Sequence, residues 1–319
     1  MHRGLPVSGD SILVIKLGAL GDFIQALGPM AAIRQHHPDQ RITLLTSPLY
    51  EPLARASELV DHVHIDVRPR GFQLGKWREL RRFLRDGGFR RVYDLQTSDR
   101  SSWYYRLFFP GEKPEWSGIA PGCSHPHANP NRDVMHTSDR QREQLSMAGI
   151  DTVLEPDLSW VDVDLSGFGL TDRFALLVPG GAPHRPAKRW PTENFKLISR
   201  VLRAKGIQPV VLGTKDEGAL AHDILSGGTE GLDLTGKTDL LALAALARHA
   251  ECAIGNDTGP MHIAAVAGCP SIVMFSKESD PLLCAPRGQH VSVLTSPDLA
   301  NLTRDQVIGE VERLTQVSR

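Results

Sequence analysis

The sequence predicts an α/β protein made of two Rossmann-like domains that face a cleft. Three observations lead to this prediction. The 319 residues suit about two domains. Short apolar runs rich in β-branched residues alternate with segments of helical period, and a second alternating series follows the first. Strands joined by helices form a parallel sheet with both faces covered, and ligands bind at the carboxyl ends of such strands.

The first series begins close to the N-terminus. Its strands are predicted at 12–16, 41–46, 62–66 and 92–95, and its helices at 23–37, 73–85 and 136–148. The segment 119–132 is rich in Pro, Gly, His and Asn, which indicates a loop.

The alternation stops over 151–172, where we place the domain boundary, giving domains 1–160 and 161–319. A second series follows this stretch. Its strands are predicted at 174–178, 209–212, 232–234, 252–255 and 271–275, and its helices at 193–205, 216–225, 239–249, 261–267 and 303–315.

Composition excludes several classes of protein. The net charge of −1 excludes a globally basic nucleic-acid binder. No apolar run approaches the roughly 18 residues of a membrane span, and the first residues contain no apolar segment long enough for a signal peptide. The four cysteines lie far apart and form no CxxC motif. These features predict a reduced, cytoplasmic protein that does not bind nucleic acid.

The segment 255–275, GNDTGPMHIAAVAGCPSIVMF, is the most informative motif. A predicted strand ends at Gly255, Asp257 or Thr258 suits a helix N-cap, and Pro260 suits the first helical turn. Gly259 allows close approach of a ligand to the backbone. The amides of this turn and the helix dipole favour a phosphate by about 0.3–1 kcal/mol. A capped structural helix explains the pattern equally well.

Two further loops follow predicted strands. In VPGGAPHRPAKRWP, residues 178–191, Gly180 and Gly181 suit a turn that accommodates an anion, and Lys188 supplies a mobile charge. In KLGALGDFIQ, residues 16–25, glycines turn the chain into a helix that begins near Asp22. Asp22 is a candidate for catalysis, although helix capping alone also explains its position.

Three other interpretations are less consistent with the sequence. GLDLTGKT, residues 231–238, matches the P-loop expression, but the predicted strand lies inside the motif instead of before it. The loop at 16–25 lacks the GxGxxG pattern of dehydrogenases. Finally, the His- and Cys-containing segment 123–136 has no familiar zinc-ligand order. We therefore predict no metal site.

A basic surface is predicted on the helix at 73–85. Eleven basic and four acidic residues lie between 68 and 106, although the whole chain is almost neutral. Four arginines recur at helical spacing on one face: Arg78, Arg81, Arg82 and Arg85. Such a surface suits an anionic acceptor or an anionic membrane surface, although a solvated helix face remains an alternative.

Four of these segments together resemble glycosyltransferase family 9, the ADP-heptose:lipopolysaccharide heptosyltransferases. They are KLGALGD, PGGAPHRPAKRWP, LGTKDEGALA and GNDTGPMHIAAVAGCPSIVMF, and their order and spacing cover nearly the whole chain. PAKRWP is similar to the heptosyltransferase II branch, whereas the opening segment with Lys16 is closer to the heptosyltransferase I type. The resemblance therefore identifies the family but leaves the step in core assembly open.

The resemblance implies a GT-B fold, a nucleotide-diphospho-heptose donor, no metal or other cofactor, and inversion at the anomeric carbon. Asp22 matches the proposed general base, Lys188 the lysine on the donor phosphates and Glu217 a glutamate that contacts the donor nucleoside. The remaining matched donor-binding positions are Asp257, Thr258, Gly259 and His262. Without a metal, the leaving diphosphate would be stabilised by Lys188, the turn at Gly180 and Gly181, and the amides at 258–260.

The acceptor implied by the resemblance is an anionic lipid-linked saccharide, which the four arginines would bind. This would bring the protein to the inner surface of the cell membrane as a peripheral partner. Two alternatives stay open: a family member that uses another nucleotide sugar, and a nucleotide-sugar-binding protein without transfer activity.

Overall fold

Each half of the chain forms one six-stranded parallel sheet covered by helices. The computed structural model describes residues 11–181, 185–226 and 231–317. The chain divides into two units, Met1–Pro156 and Asp157–Arg319. The boundary predicted after residue 160 lies a few residues beyond this division, within the same stretch that lacks alternation.

The first unit contains β1 to β6 and α1 to α6. The strands are Ser11–Ile15, Arg41–Thr46, His62–Ile65, Phe89–Asp94, Glu115–Gly118 and His125–Pro126. The helices are Leu20–Gln25, Leu27–His36, Glu51–Ala56, Leu74–Asp86, Asp99–Tyr104 and Thr137–Ser146. The strand order across the sheet is β3-β2-β1-β4-β5-β6, and neighbouring strands pair in parallel.

The second unit contains β7 to β12 and α7 to α12. The strands are Phe174–Val178, Gln208–Val211, Leu232–Asp233, Ala253–Asn256, Ser271–Phe275 and Val291–Thr295. The helices are Thr192–Ala204, Gly218–Leu225, Leu240–His249, Gly259–Val266, Pro281–Cys284 and Arg304–Val317. The strand order is β12-β11-β10-β7-β8-β9, again with parallel neighbours.

Both units have the strand order of the Rossmann fold. When the strands of each unit are numbered from its own start, both sheets have the order 3-2-1-4-5-6. The order reverses between β1 and β4 in the first unit and between β7 and β10 in the second. Ligands of such sheets bind at the carboxyl edge of this switch point. The predicted α/β class with parallel sheets is confirmed, and the motif loops follow β1, β7 and β10.

The central strands explain why the sheets are buried. All residues of β1 (SILVI) and β7 (FALLV) are inaccessible to solvent, as expected for strands covered by helices on both faces. In the first unit Leu13 and Ile15 pack into a core with Trp116. In the second unit Leu177 packs with Phe195 of α7. These cores fix the strands whose carboxyl ends carry the motif loops.

Several predicted elements differ from the structure. The bounds predicted for β2, β7 and β11 are confirmed to the residue. The helix predicted over 23–37 begins earlier and is divided into α1 and α2 at Ala26. The strands β5 and β12 were not predicted, because EWSG has one large apolar residue and β12 is only partly buried. The loop predicted over 119–132 also contains the two-residue strand β6.

The P-loop lookalike at 231–238 is a strand and a turn, as predicted. The strand β9 occupies Leu232–Asp233, inside the motif, and Lys237 Nζ donates to the Asp233 carbonyl at 2.7 Å. The following helix begins at Leu240, later than predicted. Residues 227–230, just before the motif, lie outside the described residues. Over the described ranges, no helix combines the length and hydropathy required to cross a bilayer.

Candidate active site

A lysine–aspartate pair lies at the switch point of the second unit. Lys188 Nζ is 2.7 Å from Asp257 Oδ2, and the two side chains are only 13% and 10% exposed. The same carboxylate oxygen accepts a hydrogen bond from Ser279 Oγ at 2.5 Å. Lys188 comes from the loop after β7, Asp257 follows β10, and Ser279 follows β11. Three loops of one sheet edge therefore meet at a single carboxylate.

Asn256, the last residue of β10, holds the neighbouring loop in place. Its side chain is fully buried. Its Nδ2 donates to the carbonyls of Pro179 (2.8 Å) and Gly180 (3.1 Å), and its Oδ1 accepts from the Trp190 amide at 2.9 Å. The buried side-chain carboxamide of Asn256 thus fixes both ends of the segment that contains Lys188. The part of this loop at 182–184 lies outside the described residues.

Glu217 contacts the glycine turn. Its Oε1 accepts from the Gly181 amide at 3.3 Å, and its Oε2 accepts from the Thr214 amide at 2.7 Å, which completes a capping box before α8. A Cβ atom on Gly180 would lie 2.0 Å from Glu217 Oε1. An alanine at position 180 would therefore require the Glu217 carboxylate to move, and the loops after β7 and β8 meet here.

The start of α10 differs in detail from the prediction. Thr258 occupies the N-cap position, but its side chain makes no capping hydrogen bond and instead donates to the Asn256 carbonyl at 3.2 Å. Pro260 has no N–H, and the Met261 amide bonds to the Thr258 carbonyl. The predicted set of amides at 258–260 is therefore corrected to those of Thr258 and Gly259. His262 is buried in α10.

Asp22 lies in the first turn of α1, at the switch point of the first unit. Ala19 is the N-cap of this helix, so Asp22 is the third helical residue and not the cap. The loop before the helix is held closely: Ser47 Oγ donates to the Leu17 carbonyl at 2.6 Å. A Cβ atom on Gly18 would lie 2.8 Å from Tyr50 Oη, and Gly18 has a φ of +132°. Both features require glycine at position 18.

Two buried ionisable residues, Lys16 and Asp94, lie at the carboxyl edge of the same sheet as Asp22. Lys16 is 3% exposed, and burial lowers the pKa of its ammonium, while Asp22 and Asp94 act in the opposite direction. Burial raises the pKa of the Asp94 carboxyl to about 6, although the amides of Gln96 and Thr97 donate to it. The buried lysine of the first unit is therefore stabilised in its charged form by two carboxylates, Asp22 and Asp94.

The four arginines lie on α4 of the first unit. Arg78, Arg82 and Arg85 are exposed, whereas Arg81 is partly covered and donates to the Phe109 carbonyl at 2.8 Å. Large apolar side chains are exposed beside them: Phe72 is 98% exposed and Phe109 is 68% exposed. Other exposed or partly exposed apolar side chains in this region are Leu74, Trp77 and Trp103. We call these five apolar residues and four arginines the aromatic–arginine face.

The histidines considered as zinc ligands have other contacts. His127 Nε2 lies 3.1 Å from Glu143 Oε2, and His136 Nδ1 accepts from the Ser138 amide as the N-cap of α6. Within the part of the chain that the structure describes, no three His, Cys, Asp or Glu side chains are grouped so that they could hold a metal ion.

Sequence reasoning did not identify Asn256 or Ser279. Asn256 ends an otherwise apolar strand, AIGN, and a polar residue at that place is a detectable signal. Ser279 lies 22 residues from its partner Asp257, so the sequence contains no local indication of the contact.

Comparisons with known proteins give a consistent family. A sequence profile described as "Glycosyltransferase family 9 (heptosyltransferase)" matches residues 77–307, well over half of the chain. Lipooligosaccharide heptosyltransferase 2 of Haemophilus ducreyi is 22% identical over 349 residues, which cover 95% of this chain and 99% of the relative. The resemblance recognised in the four sequence segments is confirmed.

Two solved structures have the same fold. The glycosyl transferase family 9 protein of Veillonella parvula has a TM-score of 0.83 and 22% identity, and covers 97% of this chain and 99% of that chain. The E. coli ADP-heptose LPS heptosyltransferase II has a TM-score of 0.79 and 22% identity over the same shares of both chains. The match over nearly full lengths includes both sheets.

Proposed function

The chain belongs to glycosyltransferase family 9, and on this premise we propose that it transfers a heptose, with inversion, from ADP-heptose to a lipopolysaccharide core acceptor. The observation that carries the proposal is the Lys188–Asp257 pair at the switch point of the second unit. This is the place where a Rossmann-type sheet binds a nucleotide. The relatives are named lipopolysaccharide and lipooligosaccharide heptosyltransferases, which supports the choice of sugar and acceptor.

The reaction exchanges one C–O bond for another and moves one proton. An acceptor hydroxyl oxygen attacks the anomeric carbon, the bond from that carbon to the diphosphate oxygen breaks, and ADP leaves with the electron pair. Asp22 takes the proton of the attacking hydroxyl. General-base catalysis of this kind contributes a factor of about 10²–10⁴. Attack from the face opposite the leaving group inverts the anomeric centre.

Fixed donors stabilise the leaving diphosphate. Lys188 supplies a positive charge, and the amides of Thr258 and Gly259 supply hydrogen bonds at the start of α10. Asn256 binds the carbonyls of Pro179 and Gly180, which keeps these negative dipoles fixed away from the phosphates. Glu217, whose carboxylate shapes the adjacent turn, faces the donor nucleoside.

Asp257 acts through Lys188. A carboxylate beside a diphosphate would repel it, but this one is neutralised by an ammonium at 2.7 Å and a serine hydroxyl at 2.5 Å. An ammonium group has three N–H donors, so Lys188 can keep Asp257 and bind a phosphate oxygen at the same time. The aspartate therefore orients the lysine toward the phosphates. His262, buried in α10, supports the same helix start.

The aromatic–arginine face binds the anionic lipid-linked acceptor at the inner membrane surface. Exposed aromatic side chains favour the bilayer interface, and arginines bind anionic headgroups and acidic sugars. Reversing the charges of Arg78, Arg81, Arg82 and Arg85 should weaken use of the lipid acceptor and leave nucleotide binding unchanged. Unchanged acceptor kinetics would show that the face is only a solvated surface.

The transfer is proposed to need no metal or other cofactor. Lys188 and the amides provide the charge stabilisation that a divalent cation gives in other transferases. Activity should therefore persist in excess EDTA. Loss of activity in EDTA, with recovery on addition of magnesium or manganese, would overturn this part of the proposal.

The experiment that tests the function combines binding with transfer. Calorimetric titration with ADP, UDP and GDP identifies the base of the donor, and ADP should bind most tightly. Transfer of heptose from ADP-heptose to lipid acceptor should then be seen with wild type and lost with Asp22→Asn. Tightest binding of UDP or GDP would favour a family member with another nucleotide sugar. Binding of ADP-heptose without turnover would favour a binding protein.

A further inference from the structure

The loop between β1 and α1 is held by side chains from the ends of three other strands. Gln96, after β4, accepts hydrogen bonds on its Oε1 from the amides of Leu17 (2.8 Å) and Gly18 (3.1 Å). The Leu17 carbonyl accepts from Ser47 Oγ, after β2, at 2.6 Å, and from the guanidinium of Arg68, after β3. Both backbone polar groups of Leu17 and the amide of Gly18 therefore have side-chain partners that are distant in the sequence.

This loop leads directly into the helix that contains Asp22. Ala19 is the N-cap of α1, and the first hydrogen bond of the helix runs from the Phe23 amide to the Ala19 carbonyl at 2.9 Å. Gly18 comes immediately before the cap, and Asp22 is the third residue after it. The bonds to Gln96 thus end one residue before the cap. A displacement of Gly18 would therefore move the first turn of α1, and Asp22 with it.

Helix α1 has a second anchor that does not involve Gln96. Phe23 is fully buried, and its ring stacks on that of Tyr50 with the centroids 4.4 Å apart. Ile24, the next residue, is also fully buried. Burial of two large apolar side chains contributes more to stability than one hydrogen bond does. Loss of the Gln96 side chain should therefore shift the loop and the first turn without unfolding the helix.

Gln96 is itself held by buried groups at the end of β4. Asp94 Oδ1 accepts from the amides of Gln96 (3.1 Å) and Thr97 (3.0 Å). Lys16 Nζ donates to the Leu95 carbonyl at 3.1 Å, which joins the end of β1 to the end of β4. The side chains of Lys16 and Asp94 are buried. The backbone on both sides of Gln96 is thus fixed, and its side chain reaches the loop from a defined position.

The residue after Gln96 has an unfavourable backbone conformation. Thr97 has a φ of +43°, in the left-handed region that β-branched residues rarely adopt. Such conformations persist only where the surrounding structure imposes them, and they are frequent at functional sites. Here the buried Asp94 carboxylate binds the Thr97 amide and stabilises the turn. The strained turn is an observation separate from the bonds to the loop, and it indicates that the conformation around Gln96 serves a function.

We infer that Gln96 is a positioning residue for Asp22, which holds the loop after β1 so that the proposed base can reach the acceptor hydroxyl. The inference rests on the proposed function, in which Asp22 is the general base. Gln96 needs no contact with substrate for this role, because it acts on the backbone that leads to Asp22. Proton transfer depends on the distance between base and hydroxyl, so a displacement of about 1 Å lowers turnover.

The first test removes the acceptor of the two loop amides. Gln96→Ala should lower turnover about tenfold or more, because Asp22 is no longer held in place. Affinity for ADP should stay within about twofold of wild type, since the donor is assigned to the second unit. Gln96→Glu retains acceptor oxygens at the same position and should recover most of the turnover. The two measurements are turnover in heptose transfer and calorimetric titration with ADP.

Two matched controls separate the Gln96 carboxamide from general damage. Thr97→Gly changes the next residue but permits the same positive φ without strain, so turnover should stay within about threefold of wild type. Gln208→Ala removes another glutamine whose Oε1 accepts from a backbone amide, that of Thr171 at 3.0 Å. Gln208 begins β8, at the amino edge of the second sheet, so its loss should leave turnover unchanged. If either control loses as much turnover as Gln96→Ala, the inference is wrong.

A double-mutant cycle distinguishes positioning from general stability. In the Asp22→Asn background, Gln96→Ala should reduce turnover by less than about threefold, because the group that it positions is already absent. Losses that multiply would show that Gln96 does not act through Asp22. If Asp22→Asn alone retains full activity, the proposed base is wrong, and the inference on Gln96 falls with it.

Amide hydrogen exchange tests the same contact without the reaction. In Gln96→Ala, the amides of Leu17 and Gly18 should exchange roughly five- to tenfold faster than in wild type, because they lose their acceptor. The Phe23 amide, which is bonded within α1, should change by less than about twofold. Unchanged exchange at Leu17 and Gly18 would overturn the inference. If exchange becomes faster as expected but wild type transfers no heptose, the proposed function is wrong, and with it the role assigned to Asp22.

Discussion

The two switch points have the same strand order but opposite hydrogen-bonding chemistry. In the first unit, the side-chain oxygen of Gln96 accepts from backbone amides of the loop after β1. In the second unit, the side-chain nitrogen of Asn256 donates to backbone carbonyls of the loop after β7. The first arrangement consumes N–H groups that an anion would need, whereas the second consumes carbonyls that would repel one. One architecture is therefore compatible with the two proposed roles, a proton-accepting site in the first unit and a phosphate site in the second.

The largest expected effect tests the phosphate side of this comparison. Lys188→Ala should lower donor affinity and turnover together and reduce kcat/KM by about 10³ or more, because in the proposed site the lysine contacts phosphate before and during bond cleavage. Thr258→Ala should have a milder effect, since the groups that bind phosphate there are backbone amides. Titration with ADP and steady-state kinetics give both quantities. Full donor affinity in Lys188→Ala would show that the lysine does not bind the donor.

The next effect tests the proton-accepting side. Asp22→Asn retains the shape of the side chain but loses its basicity. Turnover should fall by about 10² or more, with normal folding and donor affinity. The measurements are turnover, melting temperature and nucleotide affinity of the same preparation. If the Asp22→Asn variant keeps wild-type turnover, Asp22 is only a structural residue of α1. The proposed difference in chemistry between the two units would then be wrong.

A smaller effect on ADP affinity is expected from substitutions in the turn at Gly180 and Gly181. Gly180→Ala would place a Cβ 2.0 Å from Glu217 Oε1, so the glutamate must move. At Gly181 the nearest atom to a new Cβ is Arg189 Cγ at 3.3 Å. We expect ADP affinity to fall about tenfold in Gly180→Ala and by less than about threefold in Gly181→Ala. Equal losses in the two variants would show that the Glu217 contact is unimportant for binding.

The smallest expected effect concerns the buried carboxyl of the first unit. The pKa of Asp94 rises from its usual 3.8 to about 6 on folding, so the protonated form is favoured in the folded state. The contribution of the protonated Asp94 carboxyl to the free energy of unfolding is complete below about pH 4, and it is lost as the pH rises through about 6. Between these limits the stability of wild type relative to Asp94→Asn should increase by about 1–3 kcal/mol on acidification. Denaturant unfolding at several pH values measures it, and parallel pH curves would contradict it.

Local pattern was sufficient for most of the strands and for the position of the motif loops, but not for β5 and β12. Uninterrupted apolar runs between turn residues predicted β2, β7 and β11 with their observed bounds. The order of strand, loop and helix around Gly180 and Thr258 also agrees with the structure, whereas phosphate binding at these loops stays a prediction. These features depend on residues that are adjacent in the chain, which is why a single sequence contains them.

Contacts between distant residues could not be predicted in the same way. Gln96 reaches Leu17 across 79 positions, and Asn256 reaches Pro179 across 77. In the sequence both are polar residues at or just after strand ends, which is typical of ordinary loops. The hydrogen bonds arise only because the strand order places β4 beside β1 and β10 beside β7.

Trp190 gives the second unit an optical property. Its indole is 2% exposed, donates to the Leu302 carbonyl at 2.9 Å and packs edge-on against Phe195. Its backbone amide is bonded to Asn256, and it lies two residues after Lys188. Indole fluorescence depends on local polarity and on hydrogen bonding of the ring nitrogen. A rearrangement of the Lys188 segment should therefore change the environment of a buried chromophore, and the change in emission that depends on Trp190, measured against a Trp190→Phe variant, would report it without a label.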